Sequence, residues 1–126
     1  MTPAIVLLRS LDIAHEVIEY DHDPAHPSYG REAADALGVD PTSIFKTLLV
    51  TLDTGAIAVG VVPVTCTLDL KAIAGAADAK RARMTDPAEA ERRTGYVVGG
   101  ISPFGQRQPS PTFVDEWATA FDTVHC

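Results

Sequence analysis

The sequence has little of three things, and each shortage removes a class of protein. Cysteine occurs only at Cys66 and Cys126, far apart in the chain. Neither sits in a CxxC pair or beside histidine at a metal-ligand spacing, so reduced thiols are expected, with neither a disulfide framework nor a zinc site. Positive charge is scarce: 10 Lys and Arg face 17 Asp and Glu, for a formal net charge of −7. Nonspecific nucleic-acid binding needs cations that neutralise phosphates, so a general binder is excluded, though a small basic patch is not. Long apolar runs are absent as well. The apolar start, Ala4 to Leu8, is too short to span a bilayer and has no basic flank. A cytoplasmic protein with no membrane partner is the expectation. No repeat or low-complexity tract breaks the chain.

What remains is 126 residues, 46% apolar and 21% charged, enough for one domain with one core. The stretch Ile44 to Leu52 organises it: apolar and β-branched residues without glycine or proline, read as a buried strand. At a repeat of two, Ile44, Lys46, Leu48, Val50 and Leu52 share one face, which puts a lysine in an apolar row. An unpaired buried ammonium costs several kcal/mol. Either Lys46 snorkels from the strand end to water, or the row is the floor of a site.

Around this strand the chain reads in order. Thr2 caps a helix with Pro3 at its first position, which puts Ala4, Leu7, Leu8 and Leu11 on one face. Residues 14 to 20 read as a short strand with Ile18 and Tyr20 on one side. The turn from Asp21 to Pro27 carries His22 and His26 among carboxylates, without a third ligand for a metal. It reads as a solvated loop, with His22 facing a pocket. Arg31 to Leu37 reads as a helix closed by Gly38. Asp53-Thr54-Gly55 turns the chain into a returning strand, Ala56 to Val62, forming a central antiparallel pair. Leu68 to Ala77 reads as a helix, Lys80 to Met84 as a strand with a basic edge, and Asp86-Pro87-Ala88-Glu89 as a capping box opening a helix that ends at Gly95. Lys80 to Arg107 holds most of the basic groups, read equally as solvated faces or phosphate contacts. Tyr96-Val97-Val98 reads as a strand opening into the loop Gly99 to Gly105, whose main-chain N–H groups suit a carbonyl oxygen or phosphate. Thr112 to Asp115 and Phe121 to His125 read as two further strands.

Several blocks resemble the YbaK/EbsC family of aminoacyl-tRNA deacylases, within the prolyl-tRNA synthetase associated domain superfamily, and most closely its Cys-tRNA(Pro) branch. They are Met1-Thr2-Pro3-Ala4, Tyr20-Asp21-His22-Asp23-Pro24, Phe45-Lys46-Thr47-Leu48-Leu49-Val50, Leu68-Asp69-Leu70-Lys71, Thr94-Gly95-Tyr96, Val98-Gly99-Gly100-Ile101-Ser102-Pro103 and Gly105-Gln106. The resemblance implies an α/β (α+β) fold: a single domain over 1–126 with a mixed, mostly antiparallel, barrel-like sheet and flanking helices. It implies Lys46 as the central active-site residue, with the loop Gly99 to Pro103 as the opposite wall of its pocket. Gly100 and Ser102 join Lys46 as catalytic candidates. Tyr20, His22, Tyr29, Thr47, Gly99, Ile101 and Pro103 are the substrate-binding candidates. Family chains continue past this point to an active-site aspartate, so the expectation is a C-terminally shortened member. Cys66 is expected to be a buried, inert thiol.

No Ser-His-Asp or Cys-His set is evident as a protein nucleophile, and no cofactor or metal is expected. The resemblance supplies a different route, in which the substrate's own thiol attacks its ester carbonyl. The implied activity is removal of cysteine from mischarged Cys-tRNA(Pro) beside prolyl-tRNA synthetase. The alternatives are a deacylase for another small amino acid such as alanine, a non-catalytic module binding aminoacyl-tRNA or a synthetase, and a regulator binding a free amino acid.

Overall fold

A computed structural model describes residues 2–20 and 29–126. In chain order the elements are α1 (Pro3–Ser10), α2 (Tyr29–Leu37), a 3-10 turn (Pro41–Ser43), β1 (Phe45–Leu52), β2 (Ile57–Pro63), α3 (Leu70–Ala76), β3 (Ala82–Met84), α4 (Pro87–Thr94), β4 (Thr112–Val114) and a second 3-10 turn (Glu116–Ala120).

Local chemistry sets the helix ends. Thr2 accepts the Ile5 N–H ahead of Pro3, Asp69 accepts that of Ala72, and Asp86 accepts that of Ala88 ahead of Pro87. Each side chain satisfies one of the N–H groups a helix start leaves without a partner. Gly95 closes α4 at φ 79°, a left-handed conformation open to glycine without a Cβ clash.

The expected central pair is present. β1 and β2 run antiparallel from Phe45–Pro63 to Thr51–Ile57. β3 adds antiparallel to β1 between Val50–Met84 and Leu52–Ala82, and β4 adds parallel to β2 between Val59–Thr112 and Val61–Val114. The strand order is β3-β1-β2-β4, so the sheet is mixed and open rather than barrel-like. Its outer strands are three residues each, too short to curl and meet.

Both faces of the β1–β2 pair are buried. On one face Phe45, Leu49, Ile57, Val59 and Val61 pack with Ala90 of α4, and Ile101 and Ala118 pack against them. On the other, Val50, Leu52 and Ala58 pack with Ile73 of α3, beside Leu68 and Phe113. Gly60 in β2 lets α3 approach: a Cβ there would lie 3.0 Å from Leu68 Cδ1 and 3.1 Å from Ile73 Cδ1.

Three expected strands differ. Residues 13–20 form no ladder, and Leu11 to Glu19 stay exposed; both sheet edges are taken by β3 and β4. Tyr96 to Val98 is not a strand, because Val98 enters a tight turn with Gly99. Phe121 to His125 contributes only a parallel bridge between Ile44 and His125. The helix expected from Arg31 begins earlier, at Tyr29.

Candidate active site

Lys46 is the second residue of β1, opposite Val62. It is half-buried, and among the described residues its ammonium has neither a hydrogen-bond nor an ionic partner. Strand alternation places it with Leu48 and Val50, on the face that α3 covers further along. α2 arrives at the same end: a Cβ on Gly30 would lie 2.2 Å from Val64 Cγ1, just beyond β2. That close approach brings the helix start, Tyr29 and Gly30, toward the Lys46 end of the sheet.

Thr47 alternates to the opposite face, between Phe45 and Leu49 and across from Val61. It is 7% exposed, yet its Oγ1 has no hydrogen-bond partner. A buried hydroxyl left without a partner costs about 1–3 kcal/mol, so a protein retains one at a price unless something else completes it.

The glycine loop comes to this second face through Ile101. It leaves α4 at Gly95 and returns to the same helix end. The Arg107 N–H donates to Thr94 O at 3.1 Å and the Gln108 N–H donates to Arg93 O at 3.0 Å. The Arg93 guanidinium braces this neck, donating from Nε to Ser110 Oγ at 3.0 Å and from Nη1 to Gln108 Oε1 at 3.1 Å. Arg93 is therefore structural, whereas Lys80, Arg81, Arg83, Arg92 and Arg107 are exposed. Inside the loop, Tyr96 Oη donates to Phe104 O at 2.8 Å.

Val97 to Gly100 is a β-turn closed by Gly100 N–H donating to Val97 O at 2.9 Å, with Gly99 at φ 95°. A positive φ at the third position defines type II and calls for glycine. The Gly100 amide, expected to face an oxyanion, thus already has an acceptor. The amides of Gly99, Ile101 and Ser102 have none among the described residues. Ser102 Oγ accepts the Phe104 N–H at 3.1 Å and its carbonyl accepts from Gln106 Nε2 at 3.0 Å, so this side chain shapes the turn. Pro103 follows, half-buried.

The other expected residues scatter. Tyr20 is half-buried, at the end of the stretch 13–20 that joins no ladder. His22 and the possible metal turn around it lie outside the described residues. Cys66 is exposed rather than buried, with Thr65 Oγ1 3.8 Å from its sulfur. It lines a cavity of about 220 Å³ with Thr42, Pro63, Thr65, Asp115 and Trp117, at the end of β2 where Pro63 faces Phe45. A larger cavity, about 590 Å³, lies at the opposite end of the sheet by the β1–β2 hairpin. Among the described residues no group of three or more His, Cys, Asp or Glu is placed to hold a metal ion, and no helix is long and apolar enough to cross a membrane.

Sequence reasoning missed Glu91. Its Oε2 accepts the Val98 N–H at 3.0 Å and ties the glycine turn to α4. The readable signal was an acid in the last turn of a helix, where the macrodipole disfavours negative charge.

The fold is a small α/β domain built on an open mixed sheet, and at the start of its central strand the Lys46 ammonium has no partner among the described residues. Residues 23–126 match the model of the aminoacyl-tRNA editing domain, and the chain belongs to that family. It is 30% identical over 123 residues to EbsC of Enterococcus faecalis, named as a Cys-tRNA(Pro)/Cys-tRNA(Cys) deacylase, covering 98% of this chain and 74% of the relative. A crystal structure described as a trans-editing enzyme for prolyl tRNA synthetase is 27% identical with a TM-score of 0.82, covering 97% of this chain and 75% of that one. A hypothetical protein of known structure shares the fold at a TM-score of 0.86 and 24% identity, covering 98% of this chain and 79% of that one. The chain is an aminoacyl-tRNA deacylase that acts in editing.

Proposed function

We propose that the chain is a trans-editing deacylase that removes cysteine from mischarged Cys-tRNA(Pro), working beside prolyl-tRNA synthetase. The names of the EbsC relative and of the trans-editing structure support that substrate and partner. The observation that carries the site is that two consecutive residues at the start of β1, on opposite faces of the strand, present groups with no partner among the described residues: the half-buried Lys46 ammonium and the buried Thr47 hydroxyl.

In this reading the substrate crosses β1 at Lys46 and Thr47. That point lies between the β3 ladder, which ends at Val50–Met84, and the Ile44–His125 bridge. The amides of Gly99, Ile101 and Ser102 face the acyl carbonyl and stabilise the negative charge that develops on its oxygen. Lys46 holds the terminal ribose, a phosphate or that same oxygen from the other side. The cysteine sulfur attacks its own ester carbonyl, forming the S–C bond and breaking the C–O bond to the ribose. The thiol proton ends on the ribose hydroxyl, and the products are cysteine thiolactone and free tRNA. Orientation is the protein's main contribution, worth up to roughly 7–11 kcal/mol for a well-placed intramolecular attack.

The test follows the product. Cys-tRNA(Pro) should be turned over, and a tRNA(Pro) carrying S-methylcysteine should not, because it has no thiol. Equal turnover of the two rejects thiol assistance, and faster turnover of Ala-tRNA(Pro) reassigns the substrate.

A further inference from the structure

We infer that Glu91 is a positioning residue for deacylation, setting the direction of the loop amides that face the acyl group. The inference rests on the loop's role in the function proposed above.

Glu91 stands in the last turn of α4, beside Arg92 and Arg93, where a carboxylate gains nothing from the helix dipole. Its Oε2 reaches seven residues ahead to accept the Val98 N–H at 3.0 Å. Val98 is the second residue of the type II turn, directly before Gly99. Packing does not hold this turn: Val97 is 72% and Val98 48% exposed, and Gly99 and Gly100 carry no side chains. The helix that grips it is fixed, since Ala90 is 4% exposed and Thr94 fully buried. Thr94 Oγ1 also donates to Ala90 O at 2.8 Å and accepts the Tyr96 N–H at 3.1 Å. Glu91 therefore links a rigid helix to an unpacked turn at the one amide just upstream of Gly99. Without it, the turn keeps its internal Gly100–Val97 bond, and Ile101 keeps its packing against the β1 face, but Val98 and Gly99 lose their tie to α4. Hydrogen-bond acceptance is the function required, and a neutral amide oxygen supplies it as well as a carboxylate.

The experiment compares wild type, Glu91→Ala, Glu91→Gln and Lys46→Ala on Cys-tRNA(Pro), with urea midpoints and Val98 amide hydrogen exchange for each. Glu91→Ala should lower kcat about tenfold or more with KM little changed, the expected result when transition-state donors are misdirected. Its urea midpoint should hold while Val98 loses exchange protection. Glu91→Gln should restore both rate and protection. A Glu91→Ala protein with wild-type kcat, a Glu91→Gln protein as slow as the alanine variant, or a rate loss that tracks lost stability overturns the inference. Lys46→Ala turning over at the wild-type rate defeats the proposed function itself and the inference with it. Lys46-dependent turnover with an unaffected Glu91→Ala defeats the inference alone.

Discussion

Replacing Thr47 by valine exchanges a hydroxyl for a methyl of nearly the same shape at a site that is 7% exposed and offers Oγ1 no partner. The surroundings on that face, Phe45, Leu49 and Val61, are apolar. Leaving a buried hydroxyl unpaired costs about 1–3 kcal/mol, so Thr47→Val should stabilise the free protein by about 1–2 kcal/mol. At about 2.1 cal/mol/K per residue, 126 residues give an unfolding entropy of about 0.26 kcal/mol/K, which converts that gain to a Tm rise of about 4–8 °C. If the hydroxyl exists to meet the substrate, the same variant should lose about tenfold in kcat/KM on Cys-tRNA(Pro), the equivalent of one hydrogen bond. Urea titrations at constant m and single-turnover deacylation measure the two effects separately. A less stable Thr47→Val protein would show that the hydroxyl is satisfied in the folded chain. A more stable one with unchanged kcat/KM would show that the substrate does not use it.

Gly30→Ala should cost about 1–3 kcal/mol in urea unfolding, since its Cβ would sit 2.2 Å from Val64 Cγ1. Adding Val64→Ala should recover part of that loss, and strict additivity would refute the contact. The Asp40 carboxyl is held below its ordinary range by the Thr42 N–H and then by the Thr42 hydroxyl. A folded value below the unfolded one gives stability that is complete above about pH 4 and lost as pH falls through the lowered value. Asp40→Asn should therefore flatten the decline of the urea midpoint below about pH 4, and parallel declines would contradict this. Cys66→Ser should keep full deacylation while removing one of two thiols that react with a disulfide reagent in the native protein. Lost turnover would make Cys66 part of the chemistry.

The parts legible in the sequence were those whose causes are local. Thr2-Pro3 and Asp86-Pro87 mark helix starts, Gly95 marks a helix end, and Asp53-Thr54-Gly55 joins the two central strands, because caps and turns depend on residues a few positions apart. Lys46 was legible because an apolar row makes a charge conspicuous. Tyr96 to Val98 misled because its apolar character suits a strand, while Gly99 at positive φ draws Val98 into a turn. The orphaned Thr47 hydroxyl could not be read, since satisfaction depends on what distant segments bring to that face. Cys66 depended in the same way on where the chain turns after Pro63. The Glu91–Val98 bond required knowing that the chain doubles back over its own helix end.

The central claim is that the start of β1 is the deacylation site, and Lys46→Ala tests it most directly. Its rate on Cys-tRNA(Pro) should be compared with that of wild type, with both proteins shown to be folded by their urea transitions. The account predicts a loss of about a hundredfold or more, in the range for removing a group that meets charge developing in the transition state, with a urea midpoint equal to or above that of wild type because among the described residues no partner is left unpaired. Wild-type turnover by the folded Lys46→Ala protein would contradict it.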